Sequence, residues 1–166
     1  MVAISRLLRH LAATRWQVRR AFPAAGLAEI TNAIRDCEAQ HLGEIRFVVE
    51  GSLEFFALWR DQSPRQRALD LFSLMRIWDT EHNNGVLIYL LFADRVVEIV
   101  ADRGIDARVN AAEWQRICRS MGDRFRKGDF VLGVNEGIAA IGNHLIRHFP
   151  VAGDNPNELA DQPTVL

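Results

Sequence analysis

The sequence predicts an α/β fold, a small mixed sheet with an edge β-hairpin and helices on both faces. Three observations carry this. Residues 44–50 alternate, with Ile45, Phe47 and Val49 on one side and Glu44, Arg46 and Val48 on the other, the period of a strand. Residues 86–92 are an unbroken apolar run after Asn83-Asn84-Gly85, the composition of a central strand buried on both faces. Ala93-Asp94-Arg95 then turns the chain into a second run, residues 96–101, which makes a β-hairpin.

Helical periodicity surrounds these strands. Residues 3–20 place Ile4, Leu7, Leu8 and Leu11 on one stripe with Arg6, Arg9 and His10 off it, and Trp16 extends the apolar side. Phe22-Pro23 ends that helix, and a second starts near Gly26 with Leu27, Ile30, Ala33, Ile34, Cys37 and His41 at helical spacing and Gly43 as its C-terminal glycine. Ser63-Pro64 opens a helix reaching Asp79, with Ala68, Leu71, Phe72, Met75 and Trp78 on one side. Asn110 with Glu113 reads as a capping box before Trp114, Ile117, Cys118, Met121 and Phe125, and Asp129 as the cap of a last helix ending near His148. The order α-α-β-α-β-β-α-α gives one parallel crossover and one antiparallel pair. Residues 1–22 thus read as a basic amphipathic helix, 23–150 as the α/β domain and 151–166 as a polar tail, extended or loosely docked.

Composition narrows the function classes. At 166 residues, 49% hydrophobic and 25% charged, the chain is one ordinary globular domain with a real core. The net charge of −1 hides an asymmetry: five of the 20 basic residues and no acid lie in residues 1–20, leaving 15 basic against 21 acidic beyond. That distribution argues against nucleic acid, which demands clustered positive charge across the domain. The apolar run at residues 11–13 is far too short for a signal peptide, and the longest one, residues 85–93, is about half of what a membrane span requires. A cytoplasmic chain is expected. Cys37 and Cys118 have neither metal-ligand spacing nor a CxxC pair and read as buried thiols.

With this topology one sheet edge gathers His41, Glu44, Asn83, Asn84, Asp102 and Arg103, an oxygen-rich set suited to a hard cation such as calcium. The alternative is turn chemistry: Asp102 as a cap, Glu44 paired with Arg103, and Asn84 in a turn conformation. The opposite edge brings Glu50, Ser52, Asp94, Lys127 and Asp129 near the last helix, where hairpin and capping roles suffice, with Asp129 the second-choice ligand. His144 and His148 stand at i and i+4 without HExxH or a third ligand, too weak a motif for zinc. The arginine-bearing first helix either contacts anionic lipid or an acidic partner, or packs on its own domain with a solvated basic face, and the small apolar face favours packing.

Glu38, Gly43-Glu44-Ile45, Asn84-Gly85-Val86-Leu87, Asp94-Arg95, Asp102-Arg103-Gly104-Ile105 and Phe125-Arg126-Lys127-Gly128-Asp129, in that order over about residues 24–150, resemble the TPM domain family. The family is named for a thylakoid lumen protein, a photosystem II repair protein and a nematode receptor modulator. Asn155-Pro156-Asn157-Glu158-Leu159 is similar to its compact bacterial cytoplasmic branch. The resemblance implies an α/β/α sandwich, calcium binding in some members and acid phosphatase activity in a plant member. The polar positions it aligns are Glu38, Glu44, Asn84, Asp94, Asp102 and Asp129, as candidate ligands. The expected function is a non-enzymatic or weakly enzymatic calcium-binding module, with presentation of its loops to a protein partner as a further expectation. The rivals are a metal-dependent phosphomonoester hydrolase and a membrane-surface or acidic-partner adaptor acting through the first helix.

Overall fold

Strand β2 (Gly85–Leu91) is buried at every position, as its unbroken apolar run requires, and the rest of the fold is arranged to cover it. It lies between β1 (Glu44–Glu50), which it meets in parallel register from Glu44 opposite Gly85 to Glu50 opposite Leu91, and β3 (Val96–Ala101), its antiparallel hairpin partner. A fourth strand, β4 (Thr164–Val165), adds to the free side of β1 in parallel, giving the order β3-β2-β1-β4. These coordinates are a computed structural model describing residues 4–151, 153 and 155–166. Ala3, where the predicted first helix began, and Asp154 of the polar tail lie outside the described residues.

Alternation of side chains divides the core into two layers. Ile45, Phe47, Val49, Val86, Ile88, Leu90 and Ile99 face α3 (Ala24–Glu38), α7 (Ala111–Lys127) and α8 (Phe130–His148), which contribute Ile34, Met121, Ile138 and Leu145. Val48, Leu87, Tyr89, Leu91 and Val100 face α4 (Phe55–Trp59) and α5 (Pro64–Leu74), which contribute Leu58, Ala68, Leu71 and Phe72. Each large apolar side chain fully removed from water stabilises by about 1.5–3 kcal/mol, so a sheet covered on both faces outweighs its few polar interruptions. The α/β sandwich and the mixed sheet read from the sequence are present.

Several predicted boundaries move for local reasons. The single helix over 3–20 is two, α1 (Ile4–Ala12) and α2 (Arg15–Ala21), because Thr14 starts a new one through a capping box with Gln17. Its orientation is also largely reversed: Arg6 and His10 face the domain with Leu7 beside them, while Ile4, Leu8 and Leu11 face solvent. The helix from Pro64 stops at Leu74, Arg76 adopts a left-handed φ of 54°, and Trp78 is half exposed instead of core. Gly43 does not cap α3, which ends at Glu38; a Cβ at Gly43 would strike Leu145 Cδ2, so the residue permits close approach of α8. Asn110 accepts from the Ala112 N–H, but Glu113 binds Arg116, so there is no reciprocal box. Asp129 precedes α8 without a side-chain cap bond. The short helices α4 and α6 (Arg103–Asp106) and strand β4 were not anticipated.

Candidate functional site at the sheet edge

Parallel pairing of β1 with β2 and reversal into β3 bring the starts of two strands and the end of a third to one edge. Glu44 opens β1 opposite Gly85, Asn84 precedes Gly85, and the Asp102 N–H donates to the Gly85 carbonyl at 2.8 Å. Glu44, Asn84 and Asp102 therefore gather here, as the strand order placed them, and Glu38, known before only from the resemblance, joins them from the end of α3; all four are buried.

Their partners differ in kind. Asn84 donates its side-chain amide to the Leu42 carbonyl at 2.8 Å, while its Oδ1 is buried with no hydrogen-bond partner. Asp102 Oδ1 accepts from the Arg103 N–H at 2.7 Å, capping α6, and its Oδ2 is likewise buried and unpartnered. A buried carboxylate or amide oxygen without a donor costs about 1–3 kcal/mol or more, and adjoining strand ends carry two. The turn residue is Asn83, with φ 52°, whose side chain accepts from Arg103 Nε at 3.2 Å. Arg103 is thus bound to Asn83, not Glu44. A Cβ on Gly104 would collide with the carbonyl oxygens of His82 and Asn83, so glycine keeps the two loops together.

Glu44 is occupied by the chain itself. Its two oxygens accept from the N–H groups of Glu158 and Leu159, each at 3.1 Å. Burial pushes its carboxyl up to about 7, against the pull of those two amides. Glu38 Oε1 accepts from the Ile45 N–H at 2.7 Å, and burial, with the charges of Glu44 and Asp161, pushes Glu38 up to about 9. At neutral pH Glu38 keeps its proton and can share it with Asp161. Arg35, Glu38, Ala39, Glu44, Asn155, Asn157 and Asp161 line a cavity of about 190 Å³. Asn155 closes it by donating to the carbonyls of Glu38 and His41. His41 Nδ1 accepts from the Gly43 N–H, its Nε2 lies 3.3 Å from Cys37 Sγ, and burial holds it down to about 4. Burial pushes the Cys37 thiol up to about 11, which leaves it a poor nucleophile.

The other two candidates lie elsewhere. Asp94, in the β2–β3 turn, is bonded by Arg6 Nε at 2.9 Å and Arg9 Nη2 at 3.2 Å, with His10 Nε2 3.3 Å away. Burial raises Asp94, but Arg6 and His10 outweigh it and hold its carboxyl below the usual range. Asp129 is exposed at the α7–α8 turn. Glu50, placed at that opposite edge, points into the second core layer and accepts from Tyr89 and Arg67. Among the described residues no three His, Cys, Asp or Glu side chains converge as a metal-ligand set. The contribution of residues 155–161 was missed, and only the likeness of residues 155–159 to a compact branch of the family hinted that they belonged to the domain.

The family model of the TPM domain matches residues 19–144, the span that carries this edge. The chain belongs to the TPM domain family. It is similar to the solution structure of BA42 protein from the psychrophilic bacterium Bizionia argentinensis, with 30% identity and a TM-score of 0.76 over 87% of this chain and 94% of that one. The N-terminal domain of a P. gingivalis protein shares the fold at 21% identity, with a TM-score of 0.63 over 78% of this TPM chain and 82% of that one. No curated protein matches. No helix among the described residues is long and apolar enough to cross a membrane.

Proposed function

We propose that this TPM domain binds a divalent cation, calcium in first place, through Asn84 and Asp102, and acts as a non-enzymatic cytoplasmic module. One observation carries the reading: Asn84 Oδ1 and Asp102 Oδ2 are buried at adjoining strand ends without a donor. A hard cation is the natural complement of such oxygens, and calcium's flexible shell of six to eight would be completed by main-chain oxygens and water. Glu44 and Glu38 then belong to the supporting frame, since the tail amides and the Ile45 N–H engage them. The free thiols of Cys37 and Cys118 suit a reducing compartment.

Calorimetric titration of the apo chain with calcium and with magnesium tests this. Calcium is expected to bind the wild type, bind Asp102→Asn at least about tenfold more weakly, and bind Glu44→Gln nearly unchanged. A saturating ion at 100 times its Kd would also raise stability by about 2.7 kcal/mol. Absence of heat and of any thermal shift with both cations overturns the proposal. The rival phosphomonoesterase would use such a cation to polarise phosphoryl oxygens, so the titration comes before any turnover assay.

A further inference from the structure

The helix α1 is docked inside out. Its charged side holds the domain: Arg6 bonds Asp94 and the Gln62 carbonyl at 2.9 and 2.8 Å, and buried His10 accepts from the Leu53 N–H at 3.1 Å. Of its apolar stripe only Leu7 packs on the core; the rest is left in water, with Ile4 76%, Leu8 60% and Leu11 72% exposed. An amphipathic helix on its own domain normally does the opposite, because each large apolar side chain left in water forfeits about 1.5–3 kcal/mol. The ties at Leu53 and Gln62 flank α4 on both sides, so α1 runs beside it. That helix exposes Phe55, Phe56 and Trp59, with Phe55 stacked on Trp59.

Charge indicates what covers this face. Arg60 is exposed at the end of α4 and Arg9, bonded to Asp94, on α1, while α2, which follows α1 directly, exposes Arg15, Arg19 and Arg20, the last over the ring of exposed Trp16; residues 4–20 contain no acid. Of the nearby acids, Asp61 is paired with Arg6, Asp70, which shares a surface pocket with Phe56 and Arg60, accepts from Gln62 Nε2 at 2.6 Å, and Glu54 is exposed at the start of α4, so the arginines remain in excess. A second copy meeting the same face would set arginine against arginine. Aliphatic and aromatic side chains between exposed arginines instead match a phospholipid leaflet, in which leucine and phenylalanine enter the acyl boundary, tryptophan sits at headgroup level and arginine reaches the phosphates. We propose that α1 and α4 form a peripheral docking face for an anionic phospholipid bilayer, at the opposite end of the sheet from the Asn84–Asp102 edge and independent of cation binding there.

Vesicle co-sedimentation of the full chain in chelator tests it. Vesicles of phosphatidylcholine with phosphatidylglycerol should carry the protein down, vesicles of phosphatidylcholine alone should not, and added salt should release it. Leu8→Ser with Leu11→Ser, and separately Phe55→Ser with Trp59→Ser, should each weaken partitioning about tenfold or more, with circular dichroism and Tm unchanged because these side chains are exposed. Arg15→Gln or Arg19→Gln should weaken it about fivefold each. Failure to sediment with anionic vesicles at low salt overturns the proposal, as does sedimentation indifferent to both double substitutions. Self-association abolished by the same substitutions, or tight binding of poly-glutamate without vesicle binding, assigns the face to a second copy or an acidic protein and equally overturns it.

Discussion

Glu38 shows how a single side chain acquires a property its local sequence does not contain. It ends α3, and the spacing alone marks it as one polar residue near a strand start. Its affinity for a proton comes from burial and from Glu44 and Asp161, the latter delivered by the far end of the chain. Folded Glu38 titrates at about 9 against an ordinary 4.5, so between those values the folded state holds a proton that the unfolded state has released. Its contribution to stability is complete below pH 4.5 and is lost as pH rises through 9. His41 runs the other way: depressed to about 4, it lowers stability as pH falls below its ordinary 6.5. Glutamine at position 38 keeps the acceptor for Ile45 and supplies a permanent donor toward Asp161. Glu38→Gln should therefore melt like the wild type near pH 5 and several degrees above it at pH 9, a gain of about 1–3 kcal/mol. Melting curves showing the same pH dependence in both proteins would place the proton elsewhere.

At the scale of elements, β1, β2 and α5 are joined by a polar triad inside the second core layer. Tyr89 sits within the apolar run of β2, and its hydroxyl donates to Glu50 Oε2 at 2.7 Å. Arg67 of α5 grips both oxygens of Glu50 at 2.9 and 2.8 Å. Arg67→Met leaves that carboxylate buried beside a single phenol and should cost about 3–5 kcal/mol, a Tm fall of roughly 10 °C at this chain length. Adding Glu50→Gln should restore part of the loss, whereas additive losses in thermal melts would show that the pair is not coupled. Strands β1 to β3 were legible because alternation and an unbroken apolar run are properties of a few consecutive residues. The elements that stayed hidden depend on distant ones. α4 and α6 are one turn long, too short for a periodic signal, and β4 is two residues made a strand only by the free side of β1. The first helix was legible in its period but not in its orientation, since the attraction of Arg6 and His10 to Asp94 joins it to the hairpin turn.

Across the whole molecule, the chain ends act as clasps on opposite ends of the sheet: α1 holds the hairpin turn, and the C-terminal segment holds the candidate site. The convergence of Glu44, Asn84 and Asp102 could be read from strand order, because the parallel crossover and the hairpin dictate which ends share an edge. What surrounds them could not, because the tail's polar composition reads as solvated chain. Folded, that segment supplies two amides to Glu44, Asn155 to the end of α3, and Thr164 with the Ala160 carbonyl to Arg46. Leu166 and Val49 extend the ladder, the Leu166 N–H donating at 2.9 Å. Truncation after residue 154 would strip Glu44 of both donors and open β1 as an unprotected edge between two apolar layers. Net contributions of about 1 kcal/mol per hydrogen bond imply a loss of about 3 kcal/mol or more. A bare edge strand also pairs readily with other chains, so the truncated protein should form oligomers or aggregates at concentrations where the full chain does not. Urea denaturation combined with size-exclusion chromatography measures both. A midpoint and elution volume equal to those of the full chain would mean that residues 155–166 only rest on the edge, and that α3, β1 and β2 hold the Asn84–Asp102 geometry without them.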